Sequence, residues 1–115
     1  MLRDGHRRTW RVPRLWALAA ELPAFDHPID AFAELFDLDV WFGDRHRPTV
    51  GRVLEHMARI EAADLSHPVI LSADDVVMDG MHRICRARLL GHATVRCVRF
   101  DPTPPPDTRE PWPGP

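Results

Sequence analysis

Lysine, tyrosine, asparagine and glutamine are all missing from this chain of 115 residues. Without lysine, Schiff-base chemistry and the phosphate-cradling lysine of a P-loop are excluded. Every one of the 15 basic residues is an arginine, a permanently charged planar fork suited to phosphate or carboxylate. GC-rich codon usage is the simplest explanation of that bias. Cysteine is scarce: Cys85 and Cys97 cannot make a disulfide framework. Long hydrophobic runs are missing too. Arg7 and Arg8 precede an apolar stretch, but the uninterrupted run Leu15 to Ala20 stops at Glu21, too short for a leader or a membrane span. The expectation is a reduced, cytoplasmic protein with no membrane segment. Nor is there an excess of one charge. The formal net charge is -2 and acids are interleaved among the arginines, which excludes the broad basic field of a typical DNA-binding domain. Any DNA contact would be local rather than sequence-specific.

What is present suits one domain. Apolar residues make up 44% of the chain, and about a hundred residues can bury a core without metal or disulfide staples. Seven of the 12 prolines fall between Pro102 and Pro115. Such a stretch cannot be helix or inner strand, so the folding unit should end near Phe100. The division expected is an arm over 1–9, a domain over 10–100 and an extended, polyproline-like, disordered tail over 101–115. Within that tail Pro102 and Pro105 form a P-x-x-P arrangement and Trp112 sits between prolines.

Within the domain, Pro13 opens a short helix carrying Leu15, Trp16, Leu18, Ala19 and Leu22. Phe25, His27 and Ile29 alternate as a strand that Pro28 confines to a sheet edge. Asp30 starts a second short helix with Phe32, Leu35 and Phe36, and 37–48 reads as a loop. Thr49 to about Ala63 is the clearest helix, with Val50, Val53, Leu54, Met57 and Ile60 on one apolar face. Val69 to Leu71 and Val76 to Met78 flank a turn as a hairpin, Ile84 to Leu90 reads as a helix ended by Gly91, and Thr94 to Phe100 as a last strand whose alternation slips at Cys97 and Val98. This order fits a compact α+β fold in which helices pack on a mixed sheet.

The chemistry-bearing segment is Val76 Val77 Met78 Asp79 Gly80 Met81 His82 Arg83. A strand that ends in Asp-Gly and turns straight into a helix exposes backbone N–H groups at the helix N-terminus, and glycine permits the close turn. His82 and Arg83, in the first helical turn, add an imidazole and a bidentate guanidinium for the same anion, most simply a phosphate. An ordinary capped helix with surface charges is the bland alternative.

The run "PVILSADDVVMDGMHRICRARLLGHATVRCVRF", Pro68 to Phe100, resembles the ParB/sulfiredoxin superfamily. Its signature is an apolar strand, a short turn, a strand ending in D-G-x-H-R, a helix ending in L-L-G and a final strand. The preceding "PTVGRVLEHMARIEAADLSHP" is similar to the helix leading into that segment in small stand-alone ParB-like proteins. The resemblance implies a ParB/sulfiredoxin-like mixed sheet over roughly residues 25–100. It implies a nucleoside triphosphate or diphosphate, with Mg2+, bound through Asp79, Gly80, Met81, His82 and Arg83, with Asp79 a structural cap or a Mg2+-linked carboxylate. Sulfiredoxins carry their catalytic cysteine at the position of Met81, and methionine cannot form the thiol adduct, which argues against sulfinate reduction. Partition proteins place Glu and two Arg in this box, and their helix-turn-helix region has no counterpart here. A third branch phosphorylates free serine and uses H-R at this turn. The implied activity is therefore a phosphotransferase or NTPase on a nucleotide and a small hydroxyl-bearing substrate. The competing class is a noncatalytic regulatory or partition-associated module.

Glu55 and His82 are the catalytic candidates. Glu55 serves as a general base if its helix face borders the phosphate turn, and is otherwise a solvated residue paired with Arg59. Its neighbour His56 points about 100° away around the helix. Trp41 and Phe42 either stack on a base or belong to the core. Arg45, Arg47 and Arg52 either reach phosphate oxygens or are solvated. Asp26, Asp30, Asp37 and Asp39 offer carboxylates without a selecting pattern. His82, Cys85, His92 and Cys97 match no usual zinc spacing, so buried thiols are expected and no metal site is assigned.

Overall fold

A computed structural model describes the backbone of residues 2–3, 6–43 and 46–111 and the side chains of 8–43 and 46–108. Arg45 and Trp112 lie outside the described residues. The elements are strands β1 (Leu2–Arg3) and β2 (His6–Thr9), helix α1 (Val12–Ala19), strand β3 (Phe25–Pro28), a 3-10 helix (Ile29–Asp37), helix α2 (Val50–Ala62), strands β4 (Val69–Leu71) and β5 (Val77–Asp79), helix α3 (Met81–Leu89), and strands β6 (Thr94–Arg99) and β7 (Thr108–Pro111).

The fold is α+β around a four-stranded mixed sheet in the order β3-β6-β4-β5. Strand β3 pairs antiparallel with β6, β6 parallel with β4, and β4 antiparallel with β5. Pro28 indeed sits on an edge strand, where its missing N–H costs no ladder bond.

Both faces of the sheet are covered. Val69, Leu71, Val95 and Cys97 point to one side and pack with Ile84 and Ala87 of α3 and with Ile29 and Phe32. Ile70, Val98 and Phe100 point to the other and pack with Leu15 and Ala19 of α1. The apparent slip at Cys97 and Val98 is therefore strict alternation between two cores, each residue buried against a different helix. The helix expected at Asp30 is a 3-10 helix beginning at Ile29. Three residues per turn line up Ile29, Phe32 and Leu35 on the core, which their spacing of three favours.

Two expectations are corrected. Helix α2 forms where predicted, with the Thr49 hydroxyl accepting from Arg52 N–H, yet its apolar row is not core: Val50 is 78% and Leu54 57% exposed. The half-buried row is Arg52, His56 and Ile60, spaced i, i+4, because α2 docks sideways on α3 rather than on the sheet. The Arg86 guanidinium, donating to Glu61 O, fastens that contact.

The tail is also not a free extended end over its described part. Strand β7 pairs antiparallel with β2, Thr9 opposite Thr108, making a small sheet in the order β1-β2-β7 that includes the arm. Because proline lacks an N–H but keeps its carbonyl, the tail supplies acceptors: Trp10 Nε1 donates to Pro104 O at 2.9 Å and Arg14 to Pro105 O at 2.7 Å. Asp107 accepts from Arg11 N–H at 2.7 Å and pairs with Arg14; these contacts hold its carboxyl below the usual range, the backbone N–H first. No helix among the described residues is long and apolar enough to cross a membrane.

Truncating Leu15 or Ile84, both essentially inaccessible, to alanine is expected to cost about 2–5 kcal/mol in urea denaturation. Leu54→Ala on the exposed row of α2 should stay within about 0.5 kcal/mol.

Candidate functional site

The turn between β5 and α3 is built around Gly80, whose φ of +115° is a conformation that L side chains avoid. A Cβ there would stand 2.9 Å from Arg83 Nη1 and 3.1 Å from the Val69 Cα. Glycine therefore does two jobs: it bends the chain, and it clears a channel in which the Arg83 side chain lies across the turn.

Arg83 uses that channel to bind inward. Its guanidinium donates to Pro68 O at 3.1 Å and to Asp79 Oδ2 at 3.4 Å from both terminal nitrogens. The same Oδ2 accepts from Trp16 Nε1 at 2.8 Å. The side chains of Asp79 and Arg83 are only 20% and 15% exposed. Asp79 makes no side-chain capping bond to α3: its Oδ2 accepts from a guanidinium and an indole, tying α1 to the turn. Among the described residues no group of three or more His, Cys, Asp or Glu side chains converges on a metal position.

Helix α3 begins at Met81, so His82 and Arg83 do lie in its first turn. Arg83 N–H and Ile84 N–H both reach Gly80 O, while those of Met81 and His82 stand ahead of the first intrahelical bond. Three successive side chains enter three surroundings. Met81 lines a pocket of about 380 Å3 with Leu35, Phe36, Trp41, Phe42 and Cys85. Arg83 lines a cavity of about 470 Å3 between α1 and the sheet, with Trp16, Leu22, His67, Ile70 and Val98.

His82 turns toward α2 and meets His56, with His56 Nδ1 and His82 Nε2 2.8 Å apart. The ring planes differ by 11° and the centroids are 5.1 Å apart, which is the N···N distance plus the two ring radii. The imidazoles therefore lie edge to edge in one plane, joined by an N–H···N bond. The Trp41 indole covers both, 4.4 Å from His56 and 4.8 Å from His82 at near-parallel angles, and Phe42 stands perpendicular to His56 in a T-shaped contact. Asp39 holds this aromatic loop by accepting Phe42 N–H and Gly43 N–H at 2.8 and 2.7 Å, which lowers its own carboxyl pKa.

Burial lowers the His82 pKa, and the positive fields of His56, Arg59 and Arg83 act in the same direction against the opposing Asp79. Burial also raises both thiols, Cys97 to about 11, so neither is a ready nucleophile.

Of the sequence candidates, the fold gathers Asp79, Gly80, Met81, His82 and Arg83 but leaves Glu55 behind. Glu55 is exposed on α2, and it is its neighbour His56 that faces His82. The cause is the docking of α2 through the Arg52, His56, Ile60 row. Trp41 is missed as a partner of histidine because loop and helix meet only in the tertiary structure. Arg52 donates to Arg47 O, closing the loop onto α2.

Compared with protein-family models, curated proteins and solved structures, the chain gives no match. The ParB/sulfiredoxin resemblance rests on the motif itself.

Gly80→Ala is expected to cost about 1–3 kcal/mol in backbone strain, with more from displacing Arg83, read as a lowered urea midpoint. For His82, acidification protonates the unfolded chain near 6.5 before the folded one. Its contribution to stability is present above that pH and is lost as pH falls toward the lower folded pKa. His82→Phe should therefore flatten the decline in urea midpoint between pH 7.5 and 5.5.

Proposed function

We propose that this chain is a nucleotide-phosphate-binding domain of ParB-like character, with the phosphates received at the N-terminus of α3. The observation carrying this is the exit of the helix from the Asp79-Gly80 turn, its Met81 and His82 N–H groups ahead of the hydrogen-bond ladder, with His82 on one flank and Arg83 on the other. A helix N-terminus with partial positive charge and adjacent donors attracts phosphate. Arg83 connects this turn to the cavity of about 470 Å3, within the roughly 300–1,000 Å3 usual for small ligands, so its apolar walls suit the base and ribose. The guanidinium has five N–H donors, and Pro68 O and Asp79 do not use them all.

Phosphoryl transfer to a small hydroxyl-bearing acceptor is the chemistry we assign, with His82, held neutral, as the acid–base group. A noncatalytic sensor is the second reading, favoured by the exposure of Glu55 and the engagement of Asp79 by Trp16 and Arg83.

The test is a thermal-shift panel of nucleoside di- and triphosphates and inorganic triphosphate, each with and without Mg2+. At a hundredfold excess over Kd the expected stabilisation is about 2.7 kcal/mol, roughly 10 °C or more for a domain of this size. The rise should vanish in Arg83→Gln measured against its own baseline. A flat wild-type panel overturns the reading, and product detection with hydroxyl acceptors separates kinase from sensor.

A further inference from the structure

The phosphate-binding reading uses one ring of the coplanar histidine pair, His82, and leaves its bond to His56 unexplained. Neither imidazole belongs to the two hydrophobic cores, and both are half-buried. Their planes are fixed from above by Trp41 and from the side by Phe42. One ring sits in the first turn of α3 and the other on α2, so the bond between them leads away from the candidate phosphate turn.

We infer that His56 and His82 act as one proton-relay dyad, in which a proton taken from a substrate hydroxyl at His82 Nδ1 is matched by a proton released from His56 Nε2. The identity of the acceptor rests on the phosphate-binding reading; the behaviour of the dyad does not. In the starting tautomer His82 Nε2–H donates to His56 Nδ1, His82 Nδ1 carries the free lone pair and His56 Nε2 carries a proton. A proton arriving at His82 Nδ1 forms a new N–H bond there. The Nε2 proton of His82 then crosses to His56 Nδ1, and the Nε2 proton of His56 leaves to water. One proton enters and one departs, and the pair is neutral before and after. The bond has merely reversed direction, with His56 Nδ1–H now donating to His82 Nε2.

The surroundings favour this over storage of a charge. Arg59 on α2 disfavours a cation, and on the other side Arg83 and Asp79 oppose each other's fields. In-line nitrogens 2.8 Å apart also leave room for only one proton between them. A carboxylate partner would instead trap the proton on the ring as an ion pair. A second imidazole is a base of the same chemical type, so no ion pair forms to hold the crossing proton on one ring.

The test is 15N NMR of the imidazole side chains in the labelled full chain, without ligand. A scalar coupling between His56 Nδ1 and His82 Nε2 is expected, with the nitrogen shifts of both rings averaged between protonated and bare values because both tautomers are populated. The pair should take up a single proton on acidification, and Arg59→Ala should move that step upward. His56→Phe, which keeps a ring under Trp41, should leave His82 with unaveraged shifts. A single fixed tautomer in wild type would make the contact a structural hydrogen bond and overturn the relay, as would two independent protonations. Failure of the nucleotide panel alongside averaged shifts would remove the assigned substrate while leaving the dyad standing.

Discussion

The Arg83 guanidinium lying across Gly80, between the Asp79 carboxylate and the Pro68 carbonyl, is the constraint on which the arrangement depends. It joins the start of β4 to the end of β5 and the first turn of α3, and through the shared Asp79 oxygen it reaches Trp16 on α1. A charge pair this shielded from water loses solvation that only close partners restore. Here those partners come from three elements, so the pair fixes their relative positions as well as satisfying itself. Glycine is required because the guanidinium fills the space a side chain would take. The D-G-x-H-R pattern thus encodes a mechanical joint before any question of ligand arises.

From that joint the first turn of α3 distributes its side chains. Met81, His82 and Arg83 are consecutive, so helical geometry separates them by about 100° each. They enter an apolar pocket, the histidine pair and the cavity under α1, respectively. The sheet makes this possible because both of its faces are covered, α3 with the 3-10 helix on one side and α1 on the other. A turn at the edge strand β5 can then address both layers. Helix α2, which contributes no core side chain, is held at α3 by the histidine pair and the Arg86 contact with Glu61 O.

How much of this was legible in the sequence follows from how local each feature is. The hairpin and the turn into α3 were readable because strand alternation, the Asp-Gly turn and the terminating Gly91 act within a few residues, although the helix begins at Met81, three residues before the Ile84 read from its apolar spacing. The 3-10 helix was placed correctly but typed as an ordinary helix, since Ile29, Phe32 and Leu35 also satisfy one arm of a 3.6-residue pattern. The apolar row of α2 misled because amphipathicity reports a capacity to be buried, while docking chose the Arg52, His56, Ile60 row. That choice exchanged Glu55 for His56 at the site. Trp41 over the imidazoles and the tail pairing with the arm connect segments distant in sequence, for which no periodicity exists to be read. Over the described part of the tail, proline content excluded helix but not a short edge strand using carbonyl acceptors.

Charge at the turn gives the last link between structure and chemistry. Burial first, and then the fields of His56 and Arg59, favour the neutral His82 imidazole, while Asp79 and Arg83 act on it in opposite directions. A phosphate settling at the same N-terminus would oppose those positive fields and raise the affinity of His82 for a proton. By reciprocity, the protonated dyad would bind the anion more tightly than the neutral one. Under the proposed function, proton uptake and anion binding would be coupled through one imidazole: an empty turn would keep the dyad as a base, and an occupied turn would increase its pull on a nearby hydroxyl proton. Such coupling needs no domain movement, only a histidine held at a helix start with its second nitrogen committed to another ring.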